Sequence, residues 1–79
     1  MSISSEQSRA ARGLLNWSQG KLAESAGVAR ATLAEFESGK RTPIANNLAA
    51  IRQALEAAGV IFIDQNGNGP GVRLRDRQE

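Results

Sequence analysis

Glycines at 27, 39 and 59, with Pro43 among them, cut the first 59 residues into short pieces. Residues 4 to 58 read as four short helices. Such helices are marginal alone in water and must be held by packing against one another. Ser4 or Ser5 can cap the first, Glu6 suits the positive end of its dipole, and Ala10, Ala11, Leu14 and Leu15 line one side up to a stop near Asn16. Ser18 caps the second, Trp17 and Leu22 have the spacing of a hydrophobic staple, and Gly27 ends it at Ala26. The third begins near Ala29 or Arg30, where Val28 and Leu33 repeat the staple, Phe36 extends the apolar face and Gly39 supplies a left-handed terminus. Thr42 and Pro43 place a capping hydroxyl and a first-turn proline before a fourth helix. Along that helix Ile44, Leu48, Ile51 and Leu55 form one stripe, closed by Gly59.

Beyond Gly59 the period becomes that of a strand. Val60 to Asp64 and Gly71 to Arg75 read as a β-hairpin around the loop Gln65-Asn66-Gly67-Asn68-Gly69-Pro70. Its first strand is apolar on both faces, and packing on its own helices covers only one. The other is most simply covered by a second copy of the chain. Val60, Ile61, Phe62, Ile63, Val72 and Leu74 are therefore the expected homodimer interface, with Arg52 and Glu56 of the fourth helix as a rival, polar one. On this reading residues 1–58 form a helical domain, residues 59–79 form a dimerisation element, and the helices without the hairpin remain a folded monomer.

With no cysteine and no histidine, thiol and imidazole chemistry and the usual zinc ligands are absent, and no paired-carboxylate site replaces them. The composition points to no enzyme, no metal and no cofactor. The longest strongly apolar run, Val60 to Ile63, is far short of the ~20 residues needed to span a bilayer. No signal pattern opens the chain, so a cytoplasmic protein is expected. A net charge of +2 says nothing about nucleic acid, but eight of the ten cations are arginine, whose planar fork suits phosphates and guanine edges.

The second and third helices, joined across Gly27, make a helix-turn-helix, in which the second member can lie in the major groove while the first crosses the backbone. The string Trp17-Ser18-Gln19, Leu22-Ala23, Ala26-Gly27-Val28, Thr32-Leu33, Phe36-Glu37 and Gly39-Lys40-Arg41-Thr42-Pro43 resembles the lambda-repressor-like (XRE/Cro type) family of phage repressors and restriction-modification controllers. The likeness covers roughly residues 5 to 58. It implies a mainly α fold, a four-helix lambda-repressor-like DNA-binding domain, here followed by a β-hairpin where phage repressors usually have a further helix.

Position by position, the resemblance puts Ser18 and Gln19 at the start of helix two on a DNA phosphate. It turns Arg30, Ala31, Thr32, Ala34 and Glu35 of helix three toward the bases, because Leu33 and Phe36 point inward. Arg30 can bind guanine O6 and N7 in bidentate fashion, Thr32 can meet a phosphate or a thymine methyl, and Glu35 can accept from cytosine or orient Arg30. Lys40 and Arg41 in the following turn, with Asn46 and Asn47 at the start of helix four, are expected on phosphates. Arg12 and Glu37 match a pair that forms a structural salt bridge in this family. Ala29 departs from the usual Ser or Thr cap, a change worth about 1 kcal/mol, and Gly20 weakens helix two similarly.

The function so implied is a sequence-specific transcriptional regulator, dimeric on an inverted-repeat operator in double-stranded DNA. With no sensor module, it is expected to act as an autoregulating repressor or controller, nucleoid-associated when bound. The alternative is an antitoxin that docks a cognate toxin through the hairpin, and RNA polymerase is a further possible partner.

Overall fold

Local chemistry sets the helix ends. The computed structural model of the chain describes residues 3–64 and 69–75. Ser4 closes a capping box: its Oγ accepts the Gln7 amide at 3.0 Å, and Gln7 Oε1 accepts the Ser4 amide at 2.9 Å. Helix α1 (Ser5–Leu15) starts there and stops at Asn16, which takes a left-handed conformation at φ 58°. Ser18 Oγ accepts the Lys21 amide at 3.0 Å and starts α2 (Gln19–Ala26). Gly27, at φ 70°, turns the chain toward α3 (Arg30–Glu37), a conformation in which a β-carbon would be strained.

Helix α4 (Ala45–Ala57) starts later than the sequence suggests. Ile44, not Thr42, is its N-cap, with an extended backbone and no side-chain cap. Thr42 precedes a proline, which disfavours helical geometry there, and Pro43 lies ahead of the first turn rather than in it. Ile44 accordingly leaves the buried stripe and is 70% exposed, while Leu48, Ile51 and Leu55 remain inside. Leu22, Leu33, Ile51 and Leu55 are sealed at the centre of the core, joined by Ala11, Phe36 and Val60 among others. Trp17 and Val28, the two staple residues ahead of α2 and α3, pack against its edge.

The buried side of α1 is only partly the one its apolar residues mark: Ala11 is buried and Leu15 packs against the core, as expected. Ala10 and Leu14 face solvent, Leu14 at 41%, whereas Gln7, Ser8 and Ala11 turn inward. Polar groups can be buried here because each finds a partner. Among the described residues no buried side-chain nitrogen or oxygen lacks one. Gln7 Nε2 donates to the carbonyls of Ile63 at 3.3 Å and Gly71 at 3.0 Å. The first turn of α1 thereby holds the loop end of the hairpin.

That hairpin pairs β1 (Val60–Ile63) with β2 (Gly71–Leu74), antiparallel. Val60 faces Leu74, Ile61 faces Arg73, Phe62 faces Val72 and Ile63 faces Gly71. Opposed residues share a face, so Val60, Phe62, Val72 and Leu74 form the inner side, packed on the core beside α1 and α4. This narrows the expected interface at Val60. Val60 is only 2% exposed and belongs to its own chain's core, and the other three inner residues are spent on the same packing. Ile61 and Ile63 are left on the outer side, with Gly71 and Arg73.

Arg52 and Glu56 are also engaged within the chain, 3.0 Å apart, with the Arg52 guanidinium 5.3 Å from the Phe62 ring. Val60 is part of the core, so deleting the hairpin should expose core surface on the helices. Of the expected loop, Gln65 to Asn68 lie outside the described residues.

Gln7→Ala should strand the carbonyls of Ile63 and Gly71 and remove half of the capping box. A loss of about 1–3 kcal/mol is expected, which lowers the melting temperature by several degrees. Thermal unfolding followed by far-ultraviolet circular dichroism measures it, and an unchanged midpoint would show that the clamp contributes nothing.

Candidate nucleic-acid interface

Glu37, the last residue of α3, is charged and only 2% exposed. Its carboxylate accepts Ser8 Oγ at 2.5 Å, Arg12 Nε at 3.0 Å, Arg12 Nη2 at 2.7 Å and Gln19 Nε2 at 3.0 Å. Arg12 also donates through Nη1 to the Trp17 carbonyl at 3.0 Å, and Arg9 donates to the Glu37 carbonyl. One carboxylate thus ties α1 and α2 to the back of α3. Burial pushes the Glu37 carboxyl up, but the hydrogen bonds from Arg12, Ser8 and Gln19, with the Arg12 charge, outweigh it. The group titrates below the ordinary carboxylate value.

With its back held by Leu33, Phe36 and Glu37, α3 turns its other side outward. Arg30 and Ala31 are exposed, and Thr32, Ala34 and Glu35 are half-buried. Ala29 is the N-cap and makes no side-chain cap bond, and no acidic residue stands in the first turn. The start of α4 has the same two properties. Gly20 has a role beyond weakening α2: a β-carbon there would stand 3.7 Å from Arg30 Nη1 and 3.8 Å from Ser18 Oγ. The Arg30 guanidinium is thus brought back beside the start of α2.

The expected contact residues fall into two groups. Ser18 and Arg30 both lie beside Gly20 at the start of α2, although the Ser18 hydroxyl is occupied as a cap and the Gln19 amide points inward to Glu37. Gln19 in this structure serves the buried carboxylate rather than standing free for a phosphate. Thr32, Glu35, Arg41 and Asn47 line a cleft between α3 and the start of α4. Glu35 lies 3.8 Å from Arg41, a loose and largely exposed pairing, while the Arg30 guanidinium lies beside Gly20. The exposed Lys40 donates its backbone amide to the Glu35 carbonyl at 2.9 Å, and Asn46 is exposed on the first turn of α4. The hairpin residues lie apart from both groups, against α1 and α4.

Sequence reasoning overlooks Gln7 and Ser8, since an apolar pattern does not report buried polar groups. The spacing Ser4-x-x-Gln7 of a capping box was the available signal. It also misplaces Ile44, which fits the stripe of α4 by spacing but precedes the helix.

A family model described as Helix-turn-helix matches residues 9–58, from the middle of α1 to the end of α4. The chain belongs to the lambda-repressor-like helix-turn-helix family. No curated protein matches it significantly. This helix-turn-helix protein is a DNA-binding transcription regulator of the XRE type, from a family of regulatory rather than catalytic domains. Among its described residues no helix is long and apolar enough to cross a membrane.

In this helix-turn-helix protein Glu37→Gln should leave the partly buried Arg12 without its counter-charge. Breaking buried pairs costs about 3–5 kcal/mol when one partner is removed, and the retained amide should keep the loss toward the lower end. Because the folded carboxyl titrates below its unfolded value, its stabilisation is complete above about pH 4.5–5 and is lost as pH falls through the folded pKa. Urea unfolding at a series of pH values should show wild type well above the variant at pH 7, with the gap narrowing toward pH 3. A gap independent of pH would mean that the carboxylate charge is not the stabilising element.

Proposed function

We propose that the protein is a sequence-specific regulator that binds an inverted-repeat operator as a homodimer and acts as an autoregulating repressor or controller. The observation that carries this reading is the start of α3. Arg30 and Ala31 stand exposed on an uncapped helix with no acid in its first turn, while buried Glu37 fixes the same helix from behind. Arg30 reads guanine, and Ala31, Thr32 and Ala34 give methyl or hydroxyl contacts to neighbouring bases. Ser18, Lys40, Arg41, Asn46 and Asn47 meet phosphates on either side. Gln19 reaches DNA only through its remaining amide oxygen or by exchanging partners. The place of action is the cytoplasm, at the nucleoid.

In this reading residues 1–58 carry the DNA surface and the hairpin joins two copies through its outer face. Ile61 and Ile63, the latter 37% exposed, are its apolar side chains there. One short recognition helix makes too few contacts for specific binding at physiological salt. Two related by symmetry read half-sites whose centres are about 34–36 Å apart, or a multiple of that.

Selection of bound duplexes from a random pool tests the whole reading and should return an inverted repeat. On that operator Arg30→Ala should lose about 1–3 kcal/mol of discrimination per half-site with the fold intact. Lys40→Ala should weaken binding to all sequences alike and flatten the salt dependence by about one unit per half-site. An Arg30→Ala protein as selective as wild type would remove Arg30 from base recognition. For the dimer, Ile63→Asp should shift the sedimenting species to monomer and weaken operator binding. A variant that still sediments as a dimer would place the interface elsewhere.

A further inference from the structure

Ile44 is the most exposed large apolar residue among those described, and it occupies the N-cap of α4. Both facts run against the free protein's own stability. Isoleucine is among the poorest N-cap residues because it offers no acceptor to the first amides, and its exposed side chain gains nothing from burial. It shares a cleft of mixed polar and apolar lining with Thr32 and Glu35 of α3 and with Arg41, Pro43 and Asn47. The other exposed large hydrophobics, Leu14 and Ile63, sit on α1 and β1. Ile44 is therefore an exposed apolar group in a cleft of mixed character, apart from the other exposed large hydrophobics rather than part of the wider apolar patch that marks protein docking.

The cleft lies along the recognition helix, and the apolar feature DNA presents in the major groove is the C5-methyl of thymine. We propose that Ile44 is a specificity-determining residue that packs against a thymine methyl in each half-site. Arg41 and Asn47 hold the adjacent backbone, and Thr32 and Glu35 form the opposite wall of the cleft. The assignment rests on the sequence-specific reading above and extends base recognition from α3 to the start of α4. The contact involves no ion, so it adds to affinity without adding to salt dependence.

The test uses the full chain and a duplex selected by wild type from a random pool, with each thymine replaced in turn by uracil, which lacks only the methyl. Wild type should lose about fourfold in affinity at one thymine per half-site, the worth of burying one methyl group. Ile44→Ser should be indifferent to uracil there while keeping the wild-type response at every other thymine, and its salt slope should be unchanged. The same variant restores a good N-cap, so its unfolding midpoint should rise while its operator affinity falls, a combination that a purely structural role does not give. A wild-type uracil profile retained by Ile44→Ser overturns the assignment and leaves the regulator reading intact. Failure of wild type to select any duplex overturns sequence-specific binding, and the role of Ile44 with it.

Discussion

A single buried carboxylate organises this small domain. Glu37 lies at the end of α3 and is met by donors from α1 and α2, so the three helices cannot shift against one another without stranding a charge. Such a group is a poor source of net stability compared with apolar packing, because removing two charges from water is expensive. Its value is directional. Leucine side chains tolerate sliding, whereas a carboxylate with four donors accepts one arrangement.

The hairpin solves a different problem, that of size. A chain of 79 residues has a high ratio of surface to volume, and four short helices leave a side of their core open. Val60 closes it, and Phe62, Val72 and Leu74 cover the margin. Gln7 then fastens the strands to α1 through two main-chain carbonyls. Since Ser8 and Arg12 on the same helix hold Glu37, α1 is a rigid connection between the hairpin and the helix-turn-helix.

Much of this is legible in the sequence where the cause is local. Ser18, Gly27 and the change of period at Val60 act within a turn of the residues they control, and the helix ends and strands fall close to where those signals put them. The family motif carries the Arg12–Glu37 pair across 25 residues, which no local rule could do. What is not legible depends on tertiary context. The inward side of α1 is set by partners for Gln7 and Ser8 that lie at residues 37, 63 and 71. The start of α4 is decided by the extended backbone at Ile44, which a helical period cannot distinguish from one more turn. At the proposed DNA-facing surface, exposure could be read from the inward Leu33 and Phe36, but the pairing of Glu35 with Arg41 and of Gln19 with Glu37 could not.

The division of α3 into a held back and an unburdened front has a consequence for how such a regulator changes over generations. Arg30 and Ala31 are exposed, and substitutions at exposed positions of this kind usually alter stability by no more than about 0.5 kcal/mol. New side chains can be sampled there without crossing the threshold below which the domain unfolds. If Arg30 and Ala31 read bases as proposed, copies of the chain can change their sequence preference while Leu33, Phe36 and Glu37 go on holding the helix from behind.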